Sequence, residues 1–294
     1  MSPDLLSVTL RAAAFICLFQ AAGNALFLAL FGDNLTASRP GIVRTARRAA
    51  LAAAALLIAY ESIEAARMAG EYAGLSDTGL QRLSWYSRDG LARVLQAAGA
   101  LCIAVGLRGG GARPPARQRI GALALSGVPL ALLPLLLTGH TSVSPQRMLL
   151  APLLAVHVLI VAFWFGALTP LYAVIVHEGR PAATAMLRAF SACAIWLVPL
   201  ILVAGLGLAC ILTPGLAVLR QPYGELLLVK LALYTLLLIL ATLNRSRLVP
   251  ALSLPPRATA ATRALRWSII GEFALLCMIV SVTAVLTTFY SPQH

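Results

Sequence analysis

Charge is scarce in this sequence. Only 11% of its 294 residues are Asp, Glu, Lys or Arg, against about 25% in an ordinary soluble domain, so a soluble globular chain is excluded. Lysine occurs once, at Lys230, and histidine four times, at His140, His157, His177 and His294. No two of the five cysteines form a CxxC pair. That leaves neither a disulfide framework nor a zinc site, and packing within helices is the expected role of Cys17, Cys102, Cys193, Cys210 and Cys277. There is no P-loop to couple the chain to a nucleotide, and no MxxxM pattern among the five methionines. The period-two alternation of membrane barrel strands is missing as well. No basic n-region precedes the first apolar run, so that run is expected to be a retained spanning helix rather than a cleaved signal.

What is present is apolar length. The chain is 60% hydrophobic with a mean hydropathy of +0.87, and runs near the roughly 20 residues needed to cross a bilayer recur along it. Eight are expected, at 5–31, 49–69, 90–107, 120–138, 150–176, 189–213, 224–243 and 267–289. Only helices and closed barrels satisfy their backbone groups in lipid, so the expected fold is an all-α polytopic membrane bundle of about eight transmembrane helices.

The net charge of +13 is distributed by topology. Alternate connections carry Arg39, Arg44, Arg47 and Arg48; Arg108, Arg113, Arg117 and Arg119; Arg180 and Arg188; and Arg245, Arg247, Arg257, Arg263 and Arg266. The intervening ones carry only Arg82, Arg88, Arg147 and Arg220. The positive-inside rule places the arginine-rich loops in the cytoplasm and both termini outside. This pattern excludes a nucleic-acid role; the bilayer is the expected partner.

No soluble domain is evident. The basic stretch "RGGGARPPARQR", 108–119, reads as a cytoplasmic linker between a three-helix N-terminal part, 1–107, and a five-helix C-terminal part, 120–294. The outer loop 70–90 has the length to cap that face. Pro170, Pro199 and Pro214 are expected to kink or end their helices, while Gly205 and Gly207 permit close helix approach.

Ionisable residues inside a membrane are costly and need a partner, a wet cavity or a route to the interface. With the topology above, Arg11, Glu61, Glu64, Arg67, Arg93, His140, His157 and Lys230 all fall in the outer half, and Glu272 near the inner end of the last span is the exception. Glu61 and Glu64 share a helix face, and two carboxylates so close repel unless a cation or proton intervenes; Arg67, Arg93 and Lys230 are the available cations. Glu61, Glu64, Arg93, Lys230 and Glu272 form the expected intramembrane charge network. His140 and His157 are the candidate metal ligands, since imidazole binds copper, zinc and haem iron. Met148 is a minor candidate through its thioether, and no catalytic group is expected.

Several stretches, taken in order, resemble the copper-resistance D (CopD) family of bacterial inner-membrane proteins. "TGH" at 138–140 is similar to its Gly-His-Ala motif and "HVLIVAFWFGAL" at 157–168 to its His-x6-Trp-x-Gly-Gly-Leu helix. "LRAFS" with "AGLGLA", "YGELLLVKLALYTLLLILATLNRSRLVPAL" at 223–252, and "GEFALLCMIVSVTAVLT" with Glu272 follow. Leu154, Thr141 and Ala167 depart from the family pattern. The resemblance implies a non-enzymatic protein of the bacterial inner membrane that handles copper ions through uptake and resistance, with copper reaching His140 and His157 from the periplasm. It also implies a periplasmic CopC-type copper-binding protein as partner. Two other readings fit the same residues: a membrane b-type cytochrome with His140 and His157 as haem ligands, and a non-transporting assembly partner.

The arginine asymmetry predicts opposite labelling at two positions. In a background without other reactive thiols, Ser76→Cys should react with an impermeant thiol reagent on intact cells, and Gly110→Cys should react only after lysis. Labelling of the second variant from outside reverses the topology.

Overall fold

The computed structural model describes residues 2–108, 120–139, 144–212, 220–254 and 256–290. Residues 109–119 of the expected linker, His140, Pro214 and His294 lie outside the described residues. Those described contain helices and no strand, which makes the fold all-α, as expected. In chain order they are α1 (Pro3–Phe31), α2 (Arg39–Ala69), α3 (Thr78–Trp85), α4 (Arg88–Gly106), α5 (Ala122–Leu132), α6 (Arg147–His177), α7 (Arg180–Leu212), α8 (Pro222–Leu243) and α9 (Ala258–Phe289). A 3-10 turn, Leu133–Leu137, continues α5, and a π turn, Asn244–Leu248, continues α8. Helix starts follow local chemistry: Ser2 precedes Pro3 and accepts from the Leu5 amide, Asp77 caps α3 and Ser87 caps α4, each satisfying amides that lack an intrahelical partner.

Seven helices among the described residues are long and apolar enough to cross a membrane, one fewer than expected. The remaining segment, Ala122–Leu137, is short because Pro129 lies inside α5 and Pro134 opens the 3-10 turn, each removing a backbone donor. Its 11 helical and 5 3-10 residues extend roughly 26 Å. It nevertheless makes a return pass. A Cβ on Gly106 would fall 2.4 Å from the Ala124 amide nitrogen and one on Gly99 2.3 Å from that of Ala131, so α4 and α5 run antiparallel in backbone contact. At the other side of the bundle, Arg11 near the start of α1 donates to the Thr287 carbonyl and the Thr288 hydroxyl near the end of α9. The start of α1 and the end of α9 therefore share one end of the bundle, which requires an even number of passes between them.

Three helices begin earlier than the apolar runs suggest. α2 starts at Arg39, α7 at Arg180 and α9 at Ala258, so the basic stretches before residues 49, 189 and 267 are helical extensions rather than loops. Pro40 and Pro181 sit just inside two of these starts, where proline is tolerated, and arginine stems can lie along a helix while their heads reach water. α6 and α7 run through Pro170 and Pro199 without ending.

The tightest contact in the bundle is the crossing of α1 and α6. A Cβ on Gly23 would lie 1.9 Å from the Ala162 carbonyl oxygen, and one on Gly166 2.4 Å from the Gly23 Cα. Polar side chains bridge the seam: the Gln20 amide donates to Thr169 Oγ1 at 2.6 Å and to the Gly166 carbonyl at 3.3 Å. The surrounding core combines Phe27, Leu57, Ile103 and Phe165 from four different helices in one buried cluster. Phe165 meets Phe273 of α9 at a ring separation of 5.0 Å.

On the arginine-rich side, Glu178 between α6 and α7 clamps the turn before α2. Its carboxylate accepts from the amides of Thr36 and Ser38, both at 2.9 Å, and from their hydroxyls, both at 2.7 Å. Burial would raise its carboxyl, but the bonds from Ser38 and Thr36 outweigh that and hold it at about 2. A lowered folded value means that this contribution is complete above the ordinary 4.5 and is lost as the pH falls through 4.5 toward 2.

The α1–α6 crossing predicts a sharp difference between glycines. Gly23→Ala should overpack the seam and destabilise by about 1–3 kcal/mol, lowering the melting midpoint in detergent. Gly41→Ala on α2, where the new methyl meets nothing within 4 Å, should be neutral or stabilising. Equal midpoints for the two variants would mean that the crossing has slack.

Candidate functional site

The ionisable residues of the spans fall into three separate groups. The first lies where α2 ends and α4 begins. Glu61 is fully buried and forms an ion pair with Arg93. Ser84 of α3 donates to the same carboxylate at 2.5 Å. Arg93 also donates to the Tyr60 hydroxyl at 3.3 Å and lies over the Tyr60 ring, 4.2 Å from its centroid. One turn on, Glu64 pairs with Arg67 at 2.9 Å and accepts from Ser7 of α1 at 2.8 Å. The neighbouring carboxylates are thus kept apart electrically, each with its own arginine and its own hydroxyl. α3 is fastened across this end by Ser84 and by Gln81, whose amide reaches the Ser62 carbonyl at 3.1 Å.

The second group surrounds Glu272, 4% exposed on α9. Asn244, at the junction of α8 and the π turn, donates to its carboxylate, and the indole of Trp164 lies against it. Because α9 begins nine residues before the apolar run, Glu272 sits about four turns along it, close to mid-helix rather than at its inner end.

The third group contains the one candidate ligand that can be described. His157 lies on α6 about 15 Å from the start of that helix, half-buried against α7. A Cβ on Gly205 would meet its ring at 3.3 Å, so the glycine provides the space the imidazole occupies. The Ile201 carbonyl lies within reach of the ring, yet the buried Nδ1 atom closes no hydrogen bond. Lys230 of α8 is near enough for its charge to act on the imidazole. Tyr234, one turn beyond Lys230 on the same face, has a buried hydroxyl without a hydrogen-bond partner. Among the described residues Lys230 takes part in neither ion pair.

The five residues expected to form one charge network are therefore distributed over these three places. His140 lies outside the described residues, and Met148, on the first turn of α6, is 82% exposed. Among the described residues no cluster of three or more His, Cys, Asp or Glu side chains suits a metal ion. The donor hydroxyls of Ser7 and Ser84 and the acceptor hydroxyl of Tyr60 were not singled out by the sequence, because serine and tyrosine carry no signal until the facing helix is known; Asn244 entered only through the family resemblance.

Helix length, composition and paired buried charges define a multi-pass membrane protein of the all-helical class. Within it, residues 184–286 match the model of the family described as copper resistance protein D, CopD, the family that the sequence resembles. The match runs from α7 to α9 and includes Lys230, Asn244 and Glu272, while His157 precedes it. No curated protein and no solved structure matches the chain.

The ion pair supplies a stability prediction. Arg93→Met leaves Glu61 charged and buried without its partner, and should cost about 3–5 kcal/mol. Adding Glu61→Gln should recover a large part of that loss in detergent melts. If the double variant is as unstable as the single, the two residues are not energetically coupled.

Proposed function

We propose that the protein handles copper ions in a bacterial inner membrane, moving or holding them through a site that contains His157. The observation that carries this reading is the buried, unpartnered Nδ1 atom of His157, on the helix packed against a segment that matches copper resistance protein D. An imidazole nitrogen held in a helix interface with no hydrogen bond of its own is available to a borderline-soft metal, and copper ranks high among ions that imidazole binds. His140 is the proposed second ligand and the exposed Met148 a minor one, with copper arriving on the periplasmic side, where both termini are proposed to lie and where a CopC-type protein would deliver it. Lys230 beside His157 opposes tight binding of a cation. That suits a point of transit, where an ion must enter and also leave. Glu61, Glu64 and Arg93 serve to fix the N-terminal helices within 1–107 to one another.

Metal analysis of the purified protein tests this. His157→Ala and His140→Ala should each lose most of the bound copper while melting midpoints stay near the wild-type value. The double variant should lose little more than either single, since a two-ligand site fails when one ligand goes. Unchanged copper content in the double variant would make both histidines structural, and a haem absorption band in the purified wild type would favour the cytochrome reading instead.

A further inference from the structure

At the arginine-rich end of the bundle, the start of α7, the start of α9 and the end of α6 border a half-open cavity of about 330 Å³. Three guanidinium groups, from Arg180, Arg263 and Arg266, line it together with the hydroxyl-bearing Thr184 and Thr259. The single acid at its rim, Glu178, has both carboxylate oxygens engaged by Thr36 and Ser38. Among the described residues none of the three arginines forms an ion pair. Arg180 makes one long contact to Thr259, 3.4 Å. Arg266 donates to the Tyr172 hydroxyl at 3.1 Å and lies over its ring. Three exposed guanidinium groups lie around one pocket without a free acid among its lining residues, so its local potential is positive and favours an anion.

We propose that this cavity binds a phosphate group. Arginine's planar fork matches phosphate oxygens in pairs, threonine hydroxyls supply further donors, and the amide ends of two helices point their positive poles toward the same region. The position of the pocket beside the apolar run of α9 favours the headgroup of an anionic phospholipid as the source. Arg263 and Arg266 occupy the last turns of α9 before its apolar run, and Trp267 beside them is 68% exposed, the position of an aromatic residue at a membrane–water boundary. Ile175 and Leu252 line the cavity's apolar side, where the glycerol and upper acyl carbons of a lipid would lie. A bound headgroup would tie α6, α7 and α9 together at this end, independently of the copper reading.

Purified protein in a neutral detergent can be titrated separately with phosphatidylglycerol, phosphatidylcholine and inorganic phosphate, with the melting midpoint as readout. A ligand that prefers the folded state raises the midpoint by several degrees once it stands about 100-fold above its dissociation constant. Phosphatidylglycerol should produce that rise and phosphatidylcholine much less. In Arg180→Gln/Arg263→Gln the rise should disappear, while the unliganded midpoint stays near wild type because, among the described residues, Arg263 makes no hydrogen bond or ion pair and Arg180 only the long one. Arg247→Gln, which removes a charge from the π turn outside the cavity, should respond as wild type does. A full response to inorganic phosphate, with no further gain from lipid, would keep the site and identify free phosphate as its source. No response in the wild type to either phosphate source, or an equal response in the cavity variant, would overturn the proposal, as would a loss in Arg247→Gln as large as in the cavity variant.

Discussion

The bundle depends on the backbone contact of α1 with α6 at Gly23 and Gly166. A methyl group on either residue would penetrate the opposite helix, so the seam accepts glycine alone on both sides. Small residues at a crossing let dispersion act over backbone atoms, which matters in lipid because apolar burial gives no drive for helices to associate there. The seam also fixes the rotation of α6. A shift of one residue would turn that helix by about 100°, carrying Phe165 away from Phe273 and His157 away from Gly205. Gln20 and Thr169 guard the register from the side, since sliding the helices would leave polar groups unpaired in a dry interior.

A second constraint acts on the charges. In low dielectric an unpaired carboxylate is far more costly than an unpaired methyl, and the fold answers by giving each buried acid its own donors: Arg93 and Ser84 for Glu61, Arg67 and Ser7 for Glu64, Asn244 for Glu272. Except for Arg67, which lies on the same helix as Glu64, those partners come from other elements, so the remaining pairings also fix contacts between elements. The group around His157 is built differently. Its imidazole nitrogen and the Tyr234 hydroxyl are buried without hydrogen bonds, and Lys230 has no carboxylate within ion-pair distance among the described residues. Polar groups that the fold fully satisfies are explained by structure; those left open ask for something the chain does not supply.

How much of this the sequence discloses depends on the range of the signal. Apolar runs are local, and every expected span has a helical counterpart. The fourth is shortened by prolines whose effect on length depends on local geometry, and α2, α7 and α9 extend as helices into basic stretches that hydropathy alone leaves out. The Glu61 and Glu64 spacing announces a need for cations, but three candidates satisfy it equally on paper. The choice of Arg93 and Arg67 over Lys230 follows from which helices are neighbours, a long-range fact. The clamp of Glu178 on Thr36 and Ser38 joins residues about 140 positions apart with no periodicity to betray it. The resemblance to the copper-resistance family was legible because it rests on ordered short motifs, and the match at 184–286 falls on the later ones.

That match begins after His157, which has a physical consequence for the site. α6 packs between the N-terminal helices, through Gly166, and the matched segment, through Gly205 and Phe273. The imidazole of His157 therefore depends on both: it comes from α6, whose rotation α1 fixes, while Gly205 beside it and Lys230, whose charge acts on it, lie within the match. A change at the Gly23 crossing would move the imidazole without altering a residue of the matched segment. The N-terminal helices, with their separately neutralised carboxylates, thus act on the site through the position of α6 rather than by contributing a charge to it.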